Sequence, residues 1–172
     1  MLFADFCVFL EKLEATSSRL EMADILSKLF NALLPEEARI CAYLVLGQIE
    51  APFKGLETGL SDKLVIEGIS KACLVKQDII AKHYKELGDL GLVTKSLINW
   101  KGRSLELSKV YNEILTIANT KAMLNKLMGF ISLLKGLSPI EAQFAVRIVL
   151  GKLRLGVGES TIIEALALSL NE

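Results

Sequence analysis

The chain has 172 residues, of which 52% are hydrophobic and 23% are charged, with only twelve glycines and three prolines. This composition is typical of a folded domain with a hydrophobic core, and it excludes collagen-like, low-complexity and disordered chains. Twenty basic and twenty acidic residues cancel, so the total charge does not indicate a nucleic-acid or membrane partner. The longest segment without a charged residue, 40–49, is half as long as a membrane-spanning helix of about 20 residues.

Apolar residues recur at three- and four-residue spacing along most of the chain, which predicts amphipathic helices. In residues 140–153, for example, Ile140, Phe144 and Ile148 share one face and Arg147 lies off it. The same periodicity occupies residues 2–13, 26–34, 64–73, 79–87 and 105–117. No run of alternating β-branched residues and no Asn-Gly or Asp-Gly turn indicates a strand. We therefore predict an all-α fold, a single compact domain of about ten to twelve helices over residues 1–172.

Capping and turn residues mark several helix boundaries. The strongest is Ser-Pro-Ile-Glu at 138–141, where the serine can cap, the proline takes the first helical position and the glutamate closes a capping box. Pro35 is expected to open a helix that continues through Leu46. Gly88 and Gly91 are expected to stop the helix that precedes them.

Few residues here can support catalysis. His83 is the only histidine, which excludes a site with several histidine ligands. Cys7, Cys41 and Cys73 are widely spaced, and we expect three buried thiols in a reducing cell interior. No nucleophile elbow, zinc-binding helix or calcium loop is present. We therefore expect no catalytic activity, no metal and no cofactor in this chain.

Residues 151–158, Gly-Lys-Leu-Arg-Leu-Gly-Val-Gly, join two predicted helices. The first six match the glycine spacing of a P-loop, but Val-Gly replaces the required Lys and Ser/Thr and no strand precedes them, which disfavours nucleotide binding. Gly156 and Gly158 allow the backbone to approach an anion, the next helix supplies free amides, and Lys152 and Arg154 would flank the anion. A tight interhelical turn, with glycines that only serve packing, fits the spacing equally well.

The distribution of charge favours the anion-binding interpretation. Residues 121–158 contain six basic residues and one acidic residue, a net charge of +5, whereas residues 1–120 carry −2 and residues 159–172 carry −3. A positive region with accessible amides suits a nucleic-acid backbone. No helix rich in Arg, Asn and Gln is available to read bases, so we expect contacts that are independent of sequence.

Two other segments have alternative interpretations. Ser18 and Arg19 lie at a predicted helix start, where the serine can cap the helix or both residues can bind a phosphate; capping is favoured when the segment is taken alone. Trp100, beside Lys101 and Arg103, can stack on a base or anchor a loop, and the anchor is favoured.

The sequences Leu-Ser-Pro-Ile-Glu-Ala at 137–142 and Lys-Leu-Arg-Leu-Gly-Val-Gly-Glu at 152–159 resemble the end of a known domain. It is the N-terminal DNA-binding domain of ATP-dependent DNA ligases of the archaeal and eukaryotic replicative type. Further landmarks of that domain occur earlier in the chain, in the family order, at residues 16–21, 35–37, 43–47 and 87–91. Together the landmarks cover almost the whole chain.

The resemblance implies an all-helical domain that binds nicked duplex DNA, without sequence preference, through minor-groove backbone phosphates. It implies roles in DNA replication, repair and recombination, together with adenylation and OB-fold domains of the same parent chain, and a sliding clamp is a further candidate partner. Carried over by position, the DNA contacts are Ser18, Arg19, Lys126, Gly151, Lys152, Arg154, Gly156 and Gly158. The implied location is intracellular, in the cytoplasm and nucleoid or in a nucleus, and no membrane is involved.

The sequence departs from the family pattern in two places. Residues 121–125 are shorter than the Gly/Ser-containing segment that often precedes the position of Lys126. No Lys-x-Asp-Gly motif is present, and the sequence ends at Glu172, where the family's adenylation domain would begin. We therefore expect a fragment of a larger ligase, with ATP and Mg²⁺ bound by the parent enzyme. The alternative is a helical protein-interaction module that does not bind nucleic acid, a class that the neutral total charge also fits.

Overall fold

The computed structural model describes residues 1–170, and its regular elements in that range are ten α-helices and one short 3-10 helix. The α-helices are α1 (Phe3–Glu14), α2 (Arg19–Asn31), α3 (Pro35–Val45), α4 (Asp62–Cys73), α5 (Gln77–Leu87), α6 (Leu90–Leu97), α7 (Leu107–Asn119), α8 (Met123–Gly136), α9 (Pro139–Val149) and α10 (Glu159–Ser169). The 3-10 helix, Pro52–Lys54, lies between α3 and α4. The predicted all-α fold is confirmed, and the predicted boundary at residue 172 lies outside the described residues.

Helix α9 lies at the centre of the core. Nine of its eleven residues are buried, including the polar side chains of Glu141, Gln143 and Arg147, and it packs against α1 and α6. Arg147 does lie off the apolar face, as predicted, but neighbouring helices cover that side as well. A helix buried on all sides is held firmly in place, so its C-terminal end is a fixed support for the segment that follows.

An ion-pair network around the buried Arg147 joins α9 to two neighbouring helices. The Arg147 guanidinium donates to Asp89 at 2.8 Å and to Glu14 of α1 at 2.8 Å. Asp89 also accepts the amides of Gly91 and Leu92, which caps α6. Burial alone would raise the pKa of Asp89, but the bonds from Arg147 and from these amides hold that pKa below its ordinary value. The network therefore fixes the position of α9 relative to α1 and α6.

Most of the predicted helix boundaries agree with the structure. Glu141 accepts the amide of Ser138 at 2.7 Å and so contributes to the capping box at the start of α9. Gly88 ends α5 with a φ of 70°, a conformation that glycine adopts without strain. Gly91 was expected to stop a helix as well, but it lies inside α6, because Asp89 caps a new helix immediately after Gly88.

The three cysteines differ in their burial. Cys7 and Cys41 are buried, whereas Cys73 is only half-buried at the end of α4, so the expectation of three buried thiols was wrong for Cys73. All three are free thiols in the part of the chain that the structure describes.

None of the helices in residues 1–170 is long and apolar enough to span a bilayer.

Candidate nucleic-acid interface

The segment between α9 and α10 begins with a reversal of the chain. The amide of Gly151 donates to the carbonyl of Ile148 at 3.0 Å, and that of Lys152 donates to the carbonyl of Arg147 at 2.8 Å. This pair of bonds is a Schellman motif, which requires a left-handed residue, and Gly151 has a φ of 65°. The sequence predicted that a connection between two helices begins at residue 151, and the helix that precedes it ends at Val149.

The side chains of residues 152–155 then alternate between solvent and core, before the chain turns at Gly156, which has a φ of 73°. Leu153 and Leu155 are buried, whereas Lys152, Arg154 and Gly156 are exposed. Alternation is the geometry of an extended chain, in which successive side chains point to opposite sides. The two leucines therefore anchor the segment and leave the basic residues in solvent. We call residues 151–158 the basic loop.

The basic loop also packs against the turn after α3. A Cβ added to Gly47, which has a φ of 75°, would lie 2.8 Å from the carbonyl oxygen of Leu153. That separation is shorter than Cβ contacts in real structures, so the two backbones meet here because residue 47 has no side chain. Gly47 thus contributes to the position of the basic loop from 106 residues earlier in the chain.

The basic loop ends at Gly158, the N-cap residue of α10. Within the described residues, no side chain caps this helix, since the N-cap residue has none. Gly158, Glu159 and Ser160 are exposed, and in residues 1–170 the amides of Glu159 and Ser160 have no hydrogen-bond acceptor, whereas that of Thr161 donates to the carbonyl of Gly158 at 3.0 Å. Free amides at a helix start attract anions, although the carboxylate of Glu159 lies at the same end of the helix.

Two sites that are distant in sequence lie near each other because α2 packs against α10. Ser18 is the N-cap residue of α2 and accepts the amide of Glu21 at 3.4 Å. Arg19 is well exposed and donates to Glu164 of α10 at 3.2 Å. A Cβ on Gly156 would lie 3.6 Å from the side chain of Met22 on α2. The start of α2 and the end of the basic loop therefore belong to one surface.

The cations of this surface differ in their partners. Lys152 lies 2.7 and 2.9 Å from the two carboxylate oxygens of Asp62, and its ammonium also contacts the Tyr84 hydroxyl at 3.2 Å. The hydrogen bond from Lys152 lowers the pKa of Asp62, and the same bond raises the pKa of Lys152. Arg154, by contrast, is exposed and makes no hydrogen bond or ion pair within residues 1–170.

Lys126 has a different environment from the other predicted contacts. Its side chain is buried, and its ammonium donates to the carbonyl oxygens of Thr58 and Ala118. The Thr58 hydroxyl in turn donates to the carbonyl of Val149, the last residue of α9, at 2.6 Å. Lys126 is thus linked to the end of α9 through Thr58. A phosphate could reach its ammonium only after these hydrogen bonds break.

Residues 121–158 therefore place fewer cations at the surface than the number of basic residues in that segment suggests. Lys126 and Arg147 are both buried and hydrogen-bonded, whereas Lys152 and Arg154 remain exposed on the basic loop. Lys121 and Lys135 are also exposed. A count of charges along the sequence cannot separate solvated cations from those that hold the core together.

Sequence reasoning missed Asp62 and Tyr84. They contact Lys152 from 90 and 68 residues away, and no local pattern in the sequence signals such a contact. The alternative for Trp100 is settled in favour of the anchor, because its indole donates to the carbonyl of Leu137 at 2.9 Å. His83 lies half-buried on α5, and residues 1–170 contain no group of three side chains suited to a metal ion.

Comparison with known proteins identifies the family. The sequence matches the family described as DNA ligase N terminus over residues 2–167. A probable DNA ligase of Dictyoglomus turgidum is 37% identical over 173 residues, and the DNA ligases of Pyrobaculum arsenaticum and Ignicoccus hospitalis are 35% and 38% identical over 180 and 185 residues. These alignments cover 97% of this chain.

The chain therefore belongs to the DNA ligase N-terminus family, as the sequence landmarks predicted. It spans only 29% to 31% of the length of these three relatives. The family assignment applies to the all-helical region described here.

Proposed function

We propose that this chain binds nicked duplex DNA, independently of base sequence, by contacting backbone phosphates along the minor groove. Arg154 carries the proposal: it is an exposed arginine, without an ion-pair partner in residues 1–170, on a loop that Leu153 and Leu155 fix to the core. An arginine held in this way can donate two parallel hydrogen bonds to a phosphate. The family match supports a DNA ligand rather than another polyanion.

Apart from the buried Lys126, the remaining predicted contacts extend this surface in two directions. Lys152 and the exposed backbone of Gly151 lie at its start, and Gly156 and Gly158 bring the backbone and the amides of α10 to its end. Ser18 and Arg19 join it through the packing of α2 on α10. Contacts to several successive phosphates would hold both sides of a nick in register, which favours ligation by removing the entropy of aligning the ends.

The chemistry of ligation belongs, in this proposal, to other parts of a longer ligase. Adenylation and OB-fold domains of the same chain would be the partners of this domain and would bind ATP and Mg²⁺, and a sliding clamp is a further candidate. The lengths of the relatives support a longer chain. This role would place the protein inside the cell, where it would act in replication, repair and recombination.

Equilibrium binding to labelled oligonucleotides tests the proposal. Two nicked duplexes of unrelated sequence should bind with the same affinity, because phosphates carry no sequence information. Affinity should fall linearly with salt concentration on logarithmic axes. A compound that occupies the minor groove, such as netropsin, should compete. A strong preference for one sequence, or binding that competitor and salt do not affect, would contradict the proposal. No binding at any salt concentration would favour the protein-interaction alternative.

A further inference from the structure

Lys152 is bound by a carboxylate of the chain itself. Both oxygens of Asp62, the first residue of α4, lie within 2.9 Å of its ammonium, and Tyr84 of α5 donates its hydroxyl proton to Asp62 at 2.8 Å. The ammonium also lies 5.8 Å from the centre of the Tyr84 ring. Helix α4 therefore supplies an anionic partner for Lys152, and α5 supplies the tyrosine that holds this partner in place.

We propose that Asp62 competes with DNA phosphate for Lys152, so that this lysine exchanges a carboxylate for a phosphate when the duplex binds. The inference rests on the proposed function, because it assumes that the basic loop contacts the DNA backbone. It adds a regulatory element to that surface: Asp62 lowers the affinity of the loop for any polyanion, and only DNA held by the other contacts displaces it.

The exposure of the pair makes such an exchange feasible. The Lys152 and Asp62 side chains keep 46% and 40% of their surface exposed, so water and salt screen their attraction. A phosphate can approach Lys152 from solvent without unfolding anything around it. Asp62 then stays close to the phosphate and repels it, since Tyr84 and the helix start hold the carboxylate in place.

The Arg147–Asp89 pair nearby provides a structural contrast. The guanidinium of Arg147 keeps only 9% of its side-chain surface exposed and bonds to two carboxylates from different elements, Glu14 and Asp89. It cannot exchange partners without disrupting three helices. Of the basic residues around this end of α9, Lys152 therefore combines an existing carboxylate partner with access to solvent, and Arg154 has the access alone.

The test is Asp62→Asn in the chain described here, with a nicked duplex as the probe. Asparagine keeps an oxygen for Tyr84 and Lys152 but removes the charge, so affinity at low salt should rise by about two- to fivefold. The slope of log affinity against log salt should steepen by up to about 0.9. Glu67→Gln is the matched control: it removes a carboxylate that pairs with Lys71 on the same helix, and it should change affinity by less than about twofold.

A double-mutant cycle with Lys152→Ala identifies the route of the effect. If Asp62 acts by occupying Lys152, the gain from Asp62→Asn should be largely lost when Lys152 is already alanine. An equal gain in both backgrounds would overturn the proposal, as would equal gains from Asp62→Asn and Glu67→Gln. Weaker binding by a folded Asp62→Asn chain would also overturn it, because Asp62 would then position Lys152 for DNA.

The outcome for the proposed function can be read separately. Salt-sensitive binding of the unmodified chain that Arg154→Ala weakens would support the DNA-binding surface, whatever Asp62→Asn does. If the unmodified chain does not bind the nicked duplex, and Asp62→Asn does not either, both proposals fail together. Thermal unfolding of each variant confirms that the chains compared are folded.

Discussion

Arg147 and Asp89 form an ion pair of 2.7 Å that joins the central helix α9 to the cap of α6. The carboxylate therefore has two functions, since it neutralises a buried guanidinium and accepts the first amides of a helix. The basic loop leaves α9 only four residues after Arg147. This pair consequently fixes the support on which the proposed DNA-binding surface is built.

Replacement of Asp89 by alanine should destabilise the fold severely. The change removes the cap of α6 and leaves Arg147 with Glu14 alone, and together these losses should cost about 2–3 kcal/mol of unfolding free energy. Urea denaturation measures the difference. Asp24→Ala, which breaks an exposed pair with Lys28, is the control and should cost less than about 1 kcal/mol. Equal losses of unfolding free energy in the two variants would show that the ion pairs of Arg147 stabilise the fold no more than an exposed ion pair does.

Stability should decrease in acid because of the same carboxylate. The pKa of Asp89 is lower in the folded chain than its ordinary value, and that of Asp62 is lowered by its bond to Lys152. The unfolded chain therefore takes up protons first as the pH falls below about 4, which favours unfolding. The unfolding free energy of Asp89→Asn should depend less on pH than that of the unmodified chain between neutral pH and about pH 3. Parallel pH profiles would contradict this assignment.

Gly47 should be essential for the position of the basic loop. Alanine at this residue would have a positive φ and a Cβ 2.8 Å from the carbonyl of Leu153, so the loop would have to move. Gly55→Ala provides the control, since its φ is also positive but no atom lies within 4 Å of the added Cβ. Both changes should cost about 1 kcal/mol from backbone strain. Gly47→Ala should cost more, and binding titrations should show a loss of duplex affinity for this variant alone.

The three thiols should differ in reactivity. Burial raises the pKa of both Cys7 and Cys41 strongly, and neither is accessible to a reagent in solution. Cys73 is half-buried at the end of α4, and burial raises its pKa less completely. In the folded chain a thiol-specific reagent should label one cysteine first, identified by peptide mass as Cys73, and the other two only after unfolding. Rapid labelling of Cys41 in the native chain would contradict the described packing.

Local sequence signals predicted much of the fold. The capping glutamate Glu141, the terminating Gly88 and the apolar face of α9 through Phe144 and Ile148 all depend on residues close in sequence. For such features, spacing alone is informative. The error at Gly91 arose from the same local reasoning, because a glycine after a helix end can equally lie in the first turn of the next helix.

The candidate site was predicted less completely, because it depends on contacts between distant segments. The alternation from Lys152 to Leu155 follows from the sequence once the segment is known to be extended, but the pairing of Lys152 with Asp62 does not. Burial of Lys126 was invisible for a similar reason. Its ammonium bonds to carbonyl oxygens, which every residue has and which therefore leave no trace in the sequence.

The most direct test of the account compares Arg154→Ala with Arg103→Ala in binding to a nicked duplex across a range of salt concentrations. Both arginines are exposed, but Arg103 lies in the connection between α6 and α7, whereas Arg154 lies on the basic loop between α9 and α10. Loss of a phosphate contact should reduce the salt slope by about 0.9 for Arg154→Ala and leave it unchanged for Arg103→Ala. Equal slopes for Arg154→Ala and the unmodified chain would contradict the proposal that the basic loop binds the DNA backbone.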